Sequence, residues 1–97
     1  MSNDININAE YLFLTVPADK LATAARYWGG LEVLVDGAWM RTDDPELDIH
    51  TEGLSRTRYG YKRRERVAVT KNYSGPFSVR INLKANPAVR ALLVLQK

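Results

Sequence analysis

Phe77-Ser78-Val79-Arg80-Ile81-Asn82-Leu83 alternates apolar and polar residues without a break. Successive side chains of an extended chain point to opposite faces, so Phe77, Val79, Ile81 and Leu83 share one face and Ser78, Arg80 and Asn82 the other. A strand with one apolar face needs a second layer to cover it. The remaining segments must supply that layer and the neighbouring strands.

Upstream, Leu31 to Val35, the pair Asp36-Gly37, and Ala38 to Arg41 form a hairpin signature, because Asp-Gly suits the tight turns whose twist matches paired strands. Val33 and Val35 share a face there, and Trp39 packs across the pair. Before it, Leu21, Ala24, Ala25 and Trp28 recur at helical spacing, with Pro17 at the start, Asp19 in the first turn and Gly29-Gly30 as the stop. That predicts a helix of roughly 12 residues. Ile5 to Val16 reads as a strand, strongest over residues 11–16. It is apolar at both parities, which predicts a strand covered on both faces or central in a sheet.

Two strands are expected over roughly 56–62 and 65–72, nucleated by Val67-Ala68-Val69, either as a hairpin or as one long bent ribbon. Asn72 to Pro76 is a turn by composition. The end of the chain reads two ways. Asn86-Pro87 followed by Val89, Leu92 and Leu93 fits a helix, whereas Val89 to Leu95 fits a strand beside 77–83. The strand over 88–96 is favoured, because the preceding strand wants a partner. These elements predict an α+β fold: a mostly antiparallel β-sheet with one N-terminal helix packed on a face.

With 97 residues there is one hydrophobic core and a single domain, 1–97. The absence of Cys excludes disulfides, thiolate metal sites and cysteine nucleophiles, and a single His excludes any site that needs two imidazoles. No segment reaches the ~20 apolar residues of a membrane helix, so no membrane association is expected. Met-Ser-Asn-Asp at the start carries no secretory signal, and a cytoplasmic location is expected.

The net charge of +3 conceals a division: residues 1–55 carry −7 and residues 56–97 carry +10. Much of the positive charge lies in Arg56-Thr57-Arg58-Tyr59-Gly60-Tyr61-Lys62-Arg63-Arg64-Glu65-Arg66, with Lys71 beyond. In one extended chain Arg56, Arg58, Lys62, Arg64 and Arg66 fall on a single face. Guanidinium groups pair with phosphate in a two-pronged geometry, and Tyr59 and Tyr61 offer rings for base stacking. The candidate site is therefore Arg56, Arg58, Tyr59, Tyr61, Lys62, Arg63, Arg64, Arg66 and Lys71. Three interpretations stand side by side: a nucleic-acid contact, a solvated edge strand kept apart by charge, or a ribbon neutralised by the chain's own acidic segment.

That acidic segment, Asp43 to Glu52, contains Pro45 and reads as a loop with at most a short extended piece. Extended, it would place Glu46, Asp48, His50 and Glu52 on one face, a set that could hold a hard cation. The spacing is not that of an EF-hand, so no metal site and no cofactor are expected. Ser2, Ser55, Ser74 and Ser78 lie in no nucleophile-elbow pattern, and no phosphate-binding glycine loop is present. A non-enzymatic role is expected. Tyr27, Trp28 and Trp39 are expected in or near the core; exposed together, they would be anchors for a protein partner.

Tyr27-Trp28, the hairpin ending in Trp39, the Pro45 segment, then Arg58-Tyr59 and Lys62 resemble small phage and prophage accessory proteins. These often carry a glycine-turn hairpin with Trp, a proline loop and a closing Arg-Tyr-Lys strand. The resemblance spans about residues 27–63, and this chain lacks the Lys-Pro that usually follows. It implies a mobile-element protein that inhibits or modulates a host or defence protein or ribonucleoprotein complex. It assigns no residue a role. The alternative is a nucleic-acid-binding domain, for RNA or DNA, that uses residues 56–71.

Overall fold

The computed structural model describes residues 10–95, and the 77–83 pattern resolves into the strand on which the fold is built. Strands β1 (Tyr11–Val16), β2 (Glu32–Val35), β3 (Ala38–Arg41) and β7 (Phe77–Asn82) form an antiparallel sheet in the order β1-β7-β2-β3. Phe77, Val79 and Ile81 project from β7 onto the face that carries Val16, Val33, Val35 and Met40, and all seven are buried. Leu31 and Leu83, just outside the strands, are buried as well.

The layer over this face has two parts. A single 3₁₀ turn, Ala18–Lys20, leads into α1 (Leu21–Tyr27), whose Leu21 and Ala24 are buried. The expected stripe of apolar residues is present, but only seven residues are α-helical, because the first turn winds tightly as 3₁₀. The second part is the root of a three-stranded sheet, β4 (Leu47–His50), β5 (Gly53–Lys62) and β6 (Glu65–Tyr73), in the order β4-β5-β6. Leu54 is fully buried there, with Leu47, Ile49 and Tyr73 packed against the same core. Gly53 makes the tight return from β4 possible: its φ of +149° is open to glycine, and a Cβ there would collide with the Tyr73 carbonyl.

Several expectations are corrected. Among the described residues β1 is an edge strand, paired with β7 alone, and Phe13 and Leu14 are exposed; its outward Tyr11 and Phe13 explain why both parities are apolar. Residues 5–9 of the expected strand lie outside the described residues. The segment read as a strand over 88–96 is the helix α2 (Pro87–Leu95), with the Val89 and Arg90 N–H groups donating to the Asn86 carbonyl. The supposed need of β7 for a partner does not exist, because β1 and β2 occupy both of its edges. The α+β class stands, with two α-helices among the described residues rather than one. The acidic segment contributes a full edge strand, β4, whose short extended run gains a ladder with β5.

Candidate nucleic-acid interface

Strands β5 and β6 pair from Leu54↔Tyr73 to Lys62↔Glu65, and only their root touches the core. Beyond Thr57↔Thr70 the residues of both strands are exposed, apart from a half-buried Val67. The result is a two-stranded arm. The radius of gyration is 16.2 Å and the extents are 58 × 24 × 23 Å, against about 13 Å expected for a compact chain of this size.

The tip is a two-residue turn, Arg63-Arg64, with φ of 51° and 70°. Positive φ at both central residues matches the right-handed twist of paired strands, but this turn normally selects Asn, Asp or Gly. The Asp36-Gly37 turn between β2 and β3 has the same geometry, φ 50° and 79°, with the customary residues. Two arginines at the tip thus occupy a left-handed conformation that costs about 1–2 kcal/mol for a residue with a Cβ.

The turn also overturns the single-face arrangement of the cations. Pairing places Arg56, Arg58, Gly60 and Lys62 of β5 with Lys71, Val69, Val67 and Glu65 on one face. The opposite face carries Ser55, Thr57, Tyr59 and Tyr61 with Asn72, Thr70, Ala68 and Arg66. Arg66 therefore lies across from Tyr61, and Arg64 is in the turn itself. A one-strand alternation rule cannot see this, because the chain reverses at residues 63–64.

The first face is continuous with the core-facing side of the root. Arg56 is half-buried and its Nε donates to Glu46 Oε1 at 2.9 Å. Lys71 Nζ lies 3.5 Å from Asp36 Oδ1, and the Tyr73 hydroxyl donates to the other oxygen of Asp36. The Tyr73 hydrogen bond, with the Lys71 charge adding to it, holds the Asp36 carboxyl below the usual carboxylate range. Arg56, Arg58, Val69, Lys71, Tyr73 and Asp36 enclose much of a hollow of about 410 Å³. Neutralisation by the acidic segment, the third of the interpretations above, thus extends among the described residues to Arg56 alone, and Asp36, from the β2–β3 turn, takes Lys71.

Arg58, Lys62, Arg63, Arg64 and Arg66 have no carboxylate within 4.0 Å among the described residues. Arg66 instead lies over the Tyr59 ring, 4.2 Å from its centre. That cation–π contact orients the ring and leaves Tyr59 61% exposed; Tyr61 beside it is 80% exposed. Towards the root the same face is braced by polar rungs. The Thr57 and Thr70 hydroxyls are 2.9 Å apart, and Ser55 donates to Asn72 Oδ1 at 2.6 Å. These rungs were missed in the sequence, since the register that aligns them follows from the turn.

His50 Nε2 lies 3.1 Å from Ser55 Oγ. The Ser55 proton is directed to Asn72, so the imidazole N–H donates to the hydroxyl, the reverse of a base drawing a proton from serine. The grouping of Glu46, Asp48, His50 and Glu52 that a fully extended segment would give does not form: Glu46 turns to Arg56 and His50 to Ser55, and among the described residues no three such ligands converge.

Elsewhere, Arg80 forks onto Glu32 at 2.8 and 3.0 Å and packs against the Tyr11 and Trp39 rings on the outer face of the four-stranded sheet. Trp28 and Trp39 are half-buried, whereas Tyr27 is exposed. No described helix is long and apolar enough to cross a membrane. No protein-family model, curated protein or solved structure matches the chain.

Proposed function

We propose that this chain is a non-enzymatic binding protein that engages nucleic acid through the β5–β6 arm. The observation that carries this reading is the exposure of five cations at and near the tip with no carboxylate of the described chain to neutralise them. Like charges crowded on a ribbon repel, and a polyanion relieves that repulsion while releasing its own counterions. A two-stranded ribbon is also slender enough to lie along a strand or enter a groove. The acidic body behind the arm orients the molecule tip-first toward a negative partner.

Fluorescence anisotropy with labelled oligonucleotides tests this. Binding should be micromolar or tighter at low salt. If all five cations meet phosphates, affinity should fall about 100-fold between about 50 and 200 mM salt, from a slope of about −0.7 per phosphate on single strands. Arg63→Glu with Arg64→Glu should abolish it. Absence of binding at low salt, to DNA and RNA alike, refutes the reading.

A second reading is favoured by a different observation. Leu14, Val16, Pro17, Ala24, Tyr27 and Trp28 line most of an apolar groove of about 430 Å³ beside β1, which among the described residues is an edge strand. This suits a mobile-element protein that inhibits or modulates a host or defence complex by binding one of its protein subunits. A partner that is lost on Leu14→Asp and kept on Arg63→Glu with Arg64→Glu would support it over the arm.

A further inference from the structure

The two faces of the arm differ in chemistry, and the difference identifies the form of nucleic acid. Both tyrosine rings are on the outward face, two positions apart on β5, about 7 Å along the strand. Opposite Tyr59 stands Ala68, too small to cover a ring. The Arg66 guanidinium lies 4.2 Å from the centre of the Tyr59 ring, and the residue is still 61% exposed. The two rings are exposed on a ribbon with no core behind them, and neither is among the residues packed against the hydrophobic core.

Phosphate contacts alone would use the arginines and leave these rings without a partner. In a duplex the bases are already stacked on one another, so ring faces on a protein find only edges and backbone. In a single strand the bases are free to stack on aromatic rings, a contact that every base can make. Beyond the rings, the Thr57–Thr70 and Ser55–Asn72 rungs continue the same face with hydroxyl and amide groups able to bond base edges. Arg66 can serve a phosphate while it still braces Tyr59, and Lys62, Arg63 and Arg64 flank the end of this track.

We infer that the outward face of the arm is a single-strand track, on which successive bases stack on Tyr61 and Tyr59 while the tip cations follow the backbone. This rests on the nucleic-acid reading above and narrows it to one substrate class. The test compares a twelve-nucleotide oligothymidine with a duplex of the same length, by anisotropy at fixed salt, on the full chain and on substitutions at the two rings. Both positions are exposed, and circular dichroism checks that each variant keeps its fold.

The single strand should bind at least tenfold more tightly than the duplex. Tyr59→Ala and Tyr61→Ala should each weaken single-strand binding about tenfold, with little effect on the duplex. Tyr59→Phe and Tyr61→Phe, which keep the ring and lose the hydroxyl, should bind like the parent. Equal affinity for both forms, unchanged by the alanine substitutions but lost on Arg63→Glu with Arg64→Glu, would overturn the track and leave nucleic-acid binding intact. No binding to either form would overturn both.

Discussion

Two hairpins of this molecule share a turn geometry and differ in everything around it. The β2–β3 hairpin turns on Asp36-Gly37, and its Val33, Val35 and Met40 are buried beneath the second layer. The β5–β6 hairpin turns on Arg63-Arg64 and beyond its root leaves every residue exposed but a half-buried Val67. In the first, turn chemistry, pairing and burial all favour the same conformation. In the second, the tip residues oppose their own backbone and the charges oppose one another. Local conflict of that kind persists where it serves something other than the fold. The arm is therefore the region to examine for binding, and the four-stranded sheet the region to examine for stability.

The largest expected effect tests that division. Ile81→Ala, in the central strand, should lower unfolding free energy by about 2–5 kcal/mol through lost burial and the cavity left behind. Val69→Ala, on the arm and 63% exposed, should change it by no more than about 0.5 kcal/mol. Urea denaturation of the two variants reads both values. Equal losses would mean that the arm is packed as tightly as the sheet, and the contrast would fail.

A smaller effect sharpens the contrast at the turn. Replacing Arg63 with Asn and Arg64 with Gly gives the tip the residues its φ angles favour. Stability should rise by about 1 kcal/mol, as relief of left-handed strain at residues with a Cβ, while oligonucleotide affinity falls because two tip cations are gone. Thermal melts and anisotropy on the same sample separate the two. A tip that loses stability on this change would show that the arginines favour the turn, and the argument from conflict would not hold.

How far the sequence foretold this arrangement depended on whether a segment's pattern was local. The alternation from Phe77 to Leu83 and the Asp36-Gly37 turn carry their own instructions, and both elements lie where those instructions put them. The last segment did not, because Val89 to Leu95 is short and aliphatic. Its state depended on whether β7 had an open edge, a fact held by Tyr11 to Val16 and Glu32-Val33, far away in the chain. The candidate site divided in the same way. The basic and aromatic composition of residues 56–66 was plain, but the assignment of side chains to faces required the turn, and the turn moved Arg66 to the side of the tyrosines. That Lys71 meets Asp36, rather than the acidic segment at 43–52, depends on how the two sheets meet, which no window of sequence contains.

The finest test concerns the hydrogen bond that, beside the Lys71–Asp36 ion pair, ties the root of the arm to the turn of the other hairpin. The Tyr73 hydroxyl donates to Asp36, and this bond is the main reason the Asp36 carboxyl titrates below its ordinary value. A carboxyl depressed in the folded state contributes stability above its ordinary pKa, and that contribution is lost as pH falls through the depressed value. The same bond raises the Tyr73 hydroxyl, whose contribution is present below its ordinary pKa and is lost as pH rises through the raised value. Tyr73→Phe removes the donor and keeps the ring. Asp36 should then titrate closer to an ordinary carboxylate, with the Lys71 charge still holding part of the shift, and the acid and alkaline limbs of the stability profile should both flatten slightly. Carboxyl chemical shifts followed by NMR through the acid range give the midpoint directly. A midpoint unchanged by the substitution would place the cause in Lys71, so that the arm and the first hairpin would be joined by charge alone and their separation should then depend on salt.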